Sequence, residues 1–202
     1  MQTIKRITDE DFNISSIEMT NPRIRKAARG IVFNKDGNIA VLFKKEKNEY
    51  KLIGGGMEDS EIPEDSFKRE VLEETGCIVR IDKLLGKIIE EKSQDNFIQE
   101  SYVYVSHVIE DTGKTNLTEK EIGEGAKCLW LDIDEAMYLI KNSESVLKAS
   151  KYDGKKSIYH TKFIIRRDYE ILKYYKNSKE LSWMRVKISW KISHLLLLIE
   201  PL

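Results

Sequence analysis

The chain has 202 residues and balances 34 lysines and arginines against 34 aspartates and glutamates, so its net charge advertises no nucleic-acid partner. Its length suits one domain of about 150 residues with extensions. Met1–Arg6 does not resemble a signal peptide and no run of about 20 apolar residues occurs, so a soluble, cytoplasmic protein without a transmembrane segment is expected.

In chain order, residues 1–22 read as an N-terminal appendage with a strand around Ile4 and Ile7, closed by the Asn21-Pro22 boundary. Ile24 to Phe33 is strand-like and leads through Asn34-Lys35-Asp36-Gly37, a hairpin turn, into Ile39–Phe43. That run is continuously apolar, which predicts a strand covered on both faces. Lys44 to Lys51 is a lysine-rich polar connection, and Tyr50–Ile53 runs straight into Gly54, Gly55 and Gly56. A helix is expected from Pro63, with Glu64 and Asp65 suited to its positive end, Phe67 and Val71 on its buried stripe, and Gly76 as its left-handed stop.

Strands follow at Cys77–Ile89 and Ile98–Ile109, then a charged loop from Glu110 to Gly125, a strand at Lys127–Leu131 and a helix from Asp134 to Lys141. Ile158–Tyr175 has helical apolar spacing, whereas Val186, Ile188, Trp190 and Ile192 alternate with polar residues and predict a strand. Such a tail could pair with an exposed sheet edge, in its own subunit or in a homodimer. Strands on both sides of a helix place the chain in the α/β (mixed α+β) class, divided into residues 1–22, 23–153 and 154–202. The two cysteines, Cys77 and Cys128, lie far apart in apolar contexts and are expected as reduced core thiols.

The segment that carries chemistry is Gly54–Cys77. Glu70, Glu73 and Glu74 fall three and four residues apart, hence on one helical stripe, where like charges repel. Either this is a solvated acidic face or a multivalent cation removes the repulsion. All-oxygen donors suit Mg²⁺, Mn²⁺ or Ca²⁺, whereas zinc or copper would bring in His or Cys.

The wider spacing resembles the Nudix box: from Gly55, five positions to Glu61, seven more to Arg69-Glu70, then an aliphatic, a free residue, Glu73-Glu74, a free residue and Gly76. By average residue usage, seven identities at fixed offsets arise by chance at roughly one in ten million start positions. The resemblance covers about residues 24–141. It implies an α/β/α sandwich around a mixed sheet and Mg²⁺-dependent, or Mn²⁺-dependent, hydrolysis of a nucleoside diphosphate linked to another moiety X. The substrate would be a small-molecule nucleotide such as a nucleoside triphosphate or nucleotide sugar; the alternative is a Nudix-like module that binds nucleotides without hydrolysing them.

By the same resemblance, Glu70, Glu73 and Glu74 are metal-ligand positions, a backbone carbonyl of Gly54 or Gly55 adds an oxygen, and Arg69 and Glu61 support them. The catalytic base would come from the box, as Glu73 or Glu74, or from the later loop, where Glu119, Glu121 and Glu124 are available and Glu124 is preferred. The chain departs from the family pattern with Ile53 where Pro is usual, Ser60 where glycine is frequent, and Cys77 at an aliphatic position. Proline and tyrosine markers of some subgroups downstream of the box are absent. Tyr50, Phe97, Tyr102, Tyr104 and Trp130 could stack a base but suit the core as well, and Lys44, Lys45 and Lys47 could meet phosphates or only solvent. His107, His160 and His194 are scattered and receive no role.

Overall fold

The computed structural model describes the backbone of residues 1–196 and the side chains of residues 1–179. Seven strands form one sheet: β1 (Thr3–Ile7), β2 (Arg23–Phe33), β3 (Ile39–Lys44), β4 (Glu49–Gly56), β5 (Cys77–Lys92), β6 (Phe97–Asp111) and β7 (Ala126–Leu131), in the order β1-β5-β6-β2-β4-β3-β7. The sheet is mixed, because β1 lies parallel to β5 and β2 parallel to β6 while the remaining pairs are antiparallel. The helices are α1 (Pro63–Thr75), α2 (Glu119–Gly123), α3 (Ile133–Ser143) and α4 (Lys156–Leu196).

Alternation along the central strands sends residues to two cores. Ile31 and Leu52 pack with Ala136 and Ile140 of α3 and Phe163 and Ile171 of α4. Their neighbours Val32 and Ile53 pack on the other face with Phe67 and Val71 of α1. The expected sandwich is therefore present, and Ile39 to Leu42, fully buried, is a strand covered on both sides. α1 is bounded as its sequence dictates: Pro63 stands in its first turn, and Gly76, at φ +74°, closes it by donating its N–H to Leu72 O. Cys77 and Cys128 are free thiols that join the α1-side core. Burial raises both pKa values, that of Cys128 to about 12.

The structure departs from the sequence reading in three places. The polar connection over Lys44–Lys51 shrinks to four turn residues, 45–48, because Lys44 pairs in register with Glu49 and the strands run to that point. The loop before β7 contains α2, opened by a capping box in which Thr118 Oγ1 accepts from Glu121 N and Glu121 Oε2 accepts from Thr118 N. The strand expected at Val186–Ile192 is instead helix, since the backbone of α4 continues to Leu196. No Gly or Pro lies between Gly154 and Pro201, so nothing stops a helix once it has started, and continuity overrides a local period of two. The end of the tail, residues 197–202, lies outside the described residues.

Both flanking segments pack onto the sheet: Ile7 of β1 is fully buried, and Asp9 accepts from Ser93 N and from Tyr159 Oη on α4. Among the described residues no helix is long and apolar enough to cross a membrane.

Candidate active site

The site forms where β4 ends against β2 and under α1. Gly54, at φ +133°, pairs in register with Arg29, and a Cβ there would lie 2.4 Å from Ala28 O, so backbone contact excludes any side chain. A Cβ on Gly55 would lie 2.4 Å from both carboxylate oxygens of Glu70. The glycines thus bring Glu70 of α1 directly onto the end of β4.

Arg69 gathers Glu61, Glu70 and Glu73. Its Nε and Nη2 bind the two oxygens of Glu61 at 2.7 and 3.0 Å, and Nη1 reaches Glu70 Oε1 and Glu73 Oε2, both at 3.0 Å. Nη2 also donates to Gly56 O at 3.1 Å, tying the cluster to β4. The hydrogen bonds from Arg69, with help from Glu58 N, hold the Glu61 carboxyl down to about 2, and donating to Glu61 and Glu70 raises the guanidinium in return. The loop that presents Glu61 turns through Ser60 at φ +68°, which accounts physically for glycine being frequent there.

Glu74 has a different setting. It is buried, with Lys51 Nζ 2.6 Å from Oε1 and Gly54 N donating to Oε2 at 2.9 Å. Lys51 Nζ also donates to Gly54 O at 3.0 Å, so one ammonium bridges a carboxylate and a backbone carbonyl. Burial pushes the Glu74 pKa up despite Lys51. Among the described residues no three His, Cys, Asp or Glu side chains close around a common point, because Lys51 and Arg69 stand between the box acids.

The three loop acids separate. Glu119 is exposed, and Glu121 caps α2 with Lys44 Nζ 4.0 Å from Oε1. Glu124 is buried, and its oxygens accept from Lys44 Nζ at 3.1 Å and Ser150 Oγ at 2.6 Å. Burial raises the Glu124 pKa, but the hydrogen bond from Ser150, the charge and hydrogen bond of Lys44 and the charge of Lys47 together outweigh it and keep the carboxyl below its ordinary value. A cavity of about 650 Å³ joins Glu121 and Glu124 to Lys51, Gly54 and Gly55.

Lys44 and Lys51 belong to what the sequence reads as a polar connection, yet both are buried, opposite Glu124 and Glu74. The available signal was Lys51 standing between Tyr50 and Leu52 in a run leading into the glycines. Of the aromatics, Phe97 borders the cavity, whereas Tyr104 stacks on Phe67 at 5.3 Å in the core and Tyr50 on Phe43 at 4.4 Å. His107 pairs with Asp82, and His160 with Asp95.

A family model, the NUDIX domain, matches residues 23–150. The chain belongs to the Nudix family. Within it, a MutT-like protein of Streptomyces ambofaciens is 36% identical over 70 residues, 34% of this chain and 46% of the relative. The human diphosphoinositol polyphosphate phosphohydrolase NUDT4B is 32% identical over 97 residues, 46% of this chain and 49% of the relative. The chain spans about half the length of these curated relatives. Among solved structures, a MutT protein from Methanosarcina mazei superposes with a TM-score of 0.46 at 18% identity, over 75% of this chain and 97% of that one. The Nudix match begins at the first residue of β2 and stops ahead of α4.

Proposed function

We propose that this Nudix protein is a pyrophosphohydrolase that cleaves a phosphoanhydride in a small phosphorylated molecule, a nucleoside diphosphate linked to X or a related compound. The observation that carries this reading is the set of box acids at the end of β4, held by Arg69 and Lys51 beside the Gly54 carbonyl.

The donor set fits a hard divalent cation, Mg²⁺ or Mn²⁺. Its atoms are all oxygens, and the Lys51 ammonium already holds positive charge between Gly54 O and Glu74. Glu70, Glu73, Glu74 and the carbonyl of Gly54 or Gly55 are the groups that would hold such an ion. When bound, a divalent ion supplies charge neutralisation on the phosphate oxygens and a more acidic water.

The residues of the chain do the rest. Arg69 fixes the orientation of Glu61, Glu70 and Glu73, and the glycines let Glu70 and the Arg25 guanidinium close directly onto the end of β4. Water attacks phosphorus as Glu73 takes its proton, the bond to the bridging oxygen breaks, and that oxygen leaves with the departing phosphate. Glu73 is the box acid with the freest access to that water: its side chain is 33% exposed and only Oε2 is engaged by Arg69. Glu124, the loop candidate, has both oxygens occupied, and we assign it to positioning Lys44 beside the cavity. The name of the human relative refers to a diphosphate on a phosphorylated ring, which widens the substrates worth testing beyond nucleotides.

A substrate panel with Mg²⁺ and with Mn²⁺, products identified by mass, tests the reading. It should include nucleoside triphosphates, nucleotide sugars, ADP-ribose, dinucleoside polyphosphates and diphosphoinositol polyphosphates. Cleavage of an anhydride in at least one class is expected. Tight nucleotide binding with no product under either ion would replace hydrolysis by sensing.

A further inference from the structure

The far wall of the cavity holds a charge that the box does not use. Arg29 is 4% exposed and borders the cavity, yet among the described residues its guanidinium makes one side-chain hydrogen bond, Nε to Ser101 Oγ at 3.1 Å, and no ion pair. Among the described residues the fully buried side-chain atoms without a hydrogen-bond partner are Glu49 Oε1, Ser106 Oγ and Arg166 Nε; the Nη groups of Arg29 are not among them and face the cavity that Arg29 lines.

The carboxylates nearby are committed elsewhere. Glu90 accepts from Lys92 at 2.9 Å, Gln99 at 2.8 Å and Arg167 at 3.2 Å. Asp168 binds Arg167 at 2.7 and 3.1 Å and accepts from Leu52 N at 2.9 Å. Arg29, Lys92 and Arg167 thus lie around Glu90 and Asp168, while Glu74 and Glu49, also near the cavity, are paired with Lys51 and Lys47, and none of these four carboxylates binds Arg29 directly. Burial and the neighbouring Arg167 lower the Arg29 pKa to about 10, which still leaves it charged at neutral pH. A buried, unpaired charge costs several kcal/mol unless something answers it. A planar guanidinium presents two parallel donors, a match for phosphate.

Its place says what the phosphate belongs to. Arg29 borders the same cavity as Lys51, Gly54 and Gly55, so an anion on Arg29 lies in the space that the proposed cleavage site opens onto. The aromatic ring on the cavity wall, Phe97, has the Arg23 guanidinium 4.3 Å from its centroid, which leaves charge rather than stacking as the means of recognition. We infer that Arg29 anchors a subsite for a phosphate that the substrate carries in addition to the anhydride that is cleaved.

This rests on the hydrolase reading, so the test keeps the two apart. Binding is measured calorimetrically with inorganic pyrophosphate in EDTA, where no hydrolysis is expected, for the wild type, Arg29→Gln, Arg29→Lys and Glu73→Gln. Saturable binding by the wild type and Glu73→Gln, a loss of about tenfold or more in Arg29→Gln and partial retention in Arg29→Lys are expected. Far-UV circular dichroism checks that the variants fold.

Turnover is then compared within matched pairs that differ by one phosphate, NADP⁺ with NAD⁺ and coenzyme A with its dephospho form. The wild type should favour the phosphorylated member in kcat/KM, and Arg29→Gln should bring the ratio towards one. A wild type that does not bind pyrophosphate overturns the subsite whatever the variants do, as does a ratio unchanged in folded Arg29→Gln. Arg29-dependent binding with no turnover of any anhydride keeps the subsite and removes the hydrolase reading.

Discussion

On one side of the β2–β4 pair, Glu61, Glu70 and Glu73 share the single guanidinium of Arg69; on the other, Arg29, Lys92 and Arg167 lie around the two carboxylates Glu90 and Asp168. Each region holds charge that its own residues do not neutralise, and the signs are opposite. The acidic region is partly open, with the Glu73 side chain exposed by a third, and one arginine stands between its like charges. The basic region is almost fully buried, so its network must hold together without solvent. The two surpluses therefore have different costs: a cation or solvent relieves the first, whereas the second needs a complete internal network and leaves Arg29 as its open end.

The largest expected effect follows from that burial. Asp168→Ala removes the partner of Arg167 and the acceptor of Leu52 N, and should lower the unfolding free energy by about 3–5 kcal/mol in urea titrations. A loss under about 1 kcal/mol, as for a typical exposed pair, would erase the contrast between the regions.

Next in size is Glu73→Gln, which alters the open acidic region. It should lower kcat by about a hundredfold or more, equivalent to about 3 kcal/mol of barrier, while the melting temperature stays within a few degrees of wild type. Unchanged turnover would remove Glu73 from the chemistry.

The two regions also differ in how visible they are in the sequence. The box was legible because its parts are local: Glu70, Glu73 and Glu74 lie within about one helical turn, Arg69 lies four before Glu73, and the glycines stand at a fixed offset upstream. The same locality made α1 readable from Pro63 and Gly76. The basic network draws on Arg29 in β2, Glu90 and Lys92 in β5, and Arg167 and Asp168 in α4, so no short window contains it. Arg166-Arg167-Asp168 was visible inside a helical pattern, but only the docking of α4 on β4 and β5 makes it a buried partner. Likewise Lys44 and Lys51 resembled solvated lysines until Glu124 and Glu74 were brought opposite them. The helical end of α4 was missed for the opposite reason: a local alternation was visible, and the absence of any breaker mattered more.

A smaller effect separates the regions by pH. Glu61 sits at about 2 when folded, below the ordinary 4.5, so its stabilisation is complete above about pH 4.5 and is lost as the pH falls through about 2. Stability measured at a series of pH values should show a constant gap between wild type and Glu61→Gln above 4.5 that closes towards 2. A gap that persists unchanged at pH 2 would show that the Arg69 pair does not set it.

The smallest concerns the turn before Glu61. Ser60 holds a left-handed backbone, so Ser60→Gly should stabilise the protein by about 0.5–1 kcal/mol in thermal unfolding, without moving the basic network.

The central claim is hydrolysis at the acidic region, and cleavage in ¹⁸O-labelled water with Mg²⁺ tests it most directly. Mass analysis of the products of an anhydride that turns over should show two fragments, one carrying a single new ¹⁸O on phosphorus, with the signal reduced by about a hundredfold in Glu73→Gln. Fragments without ¹⁸O, or the same yield from Glu73→Gln, would contradict the account.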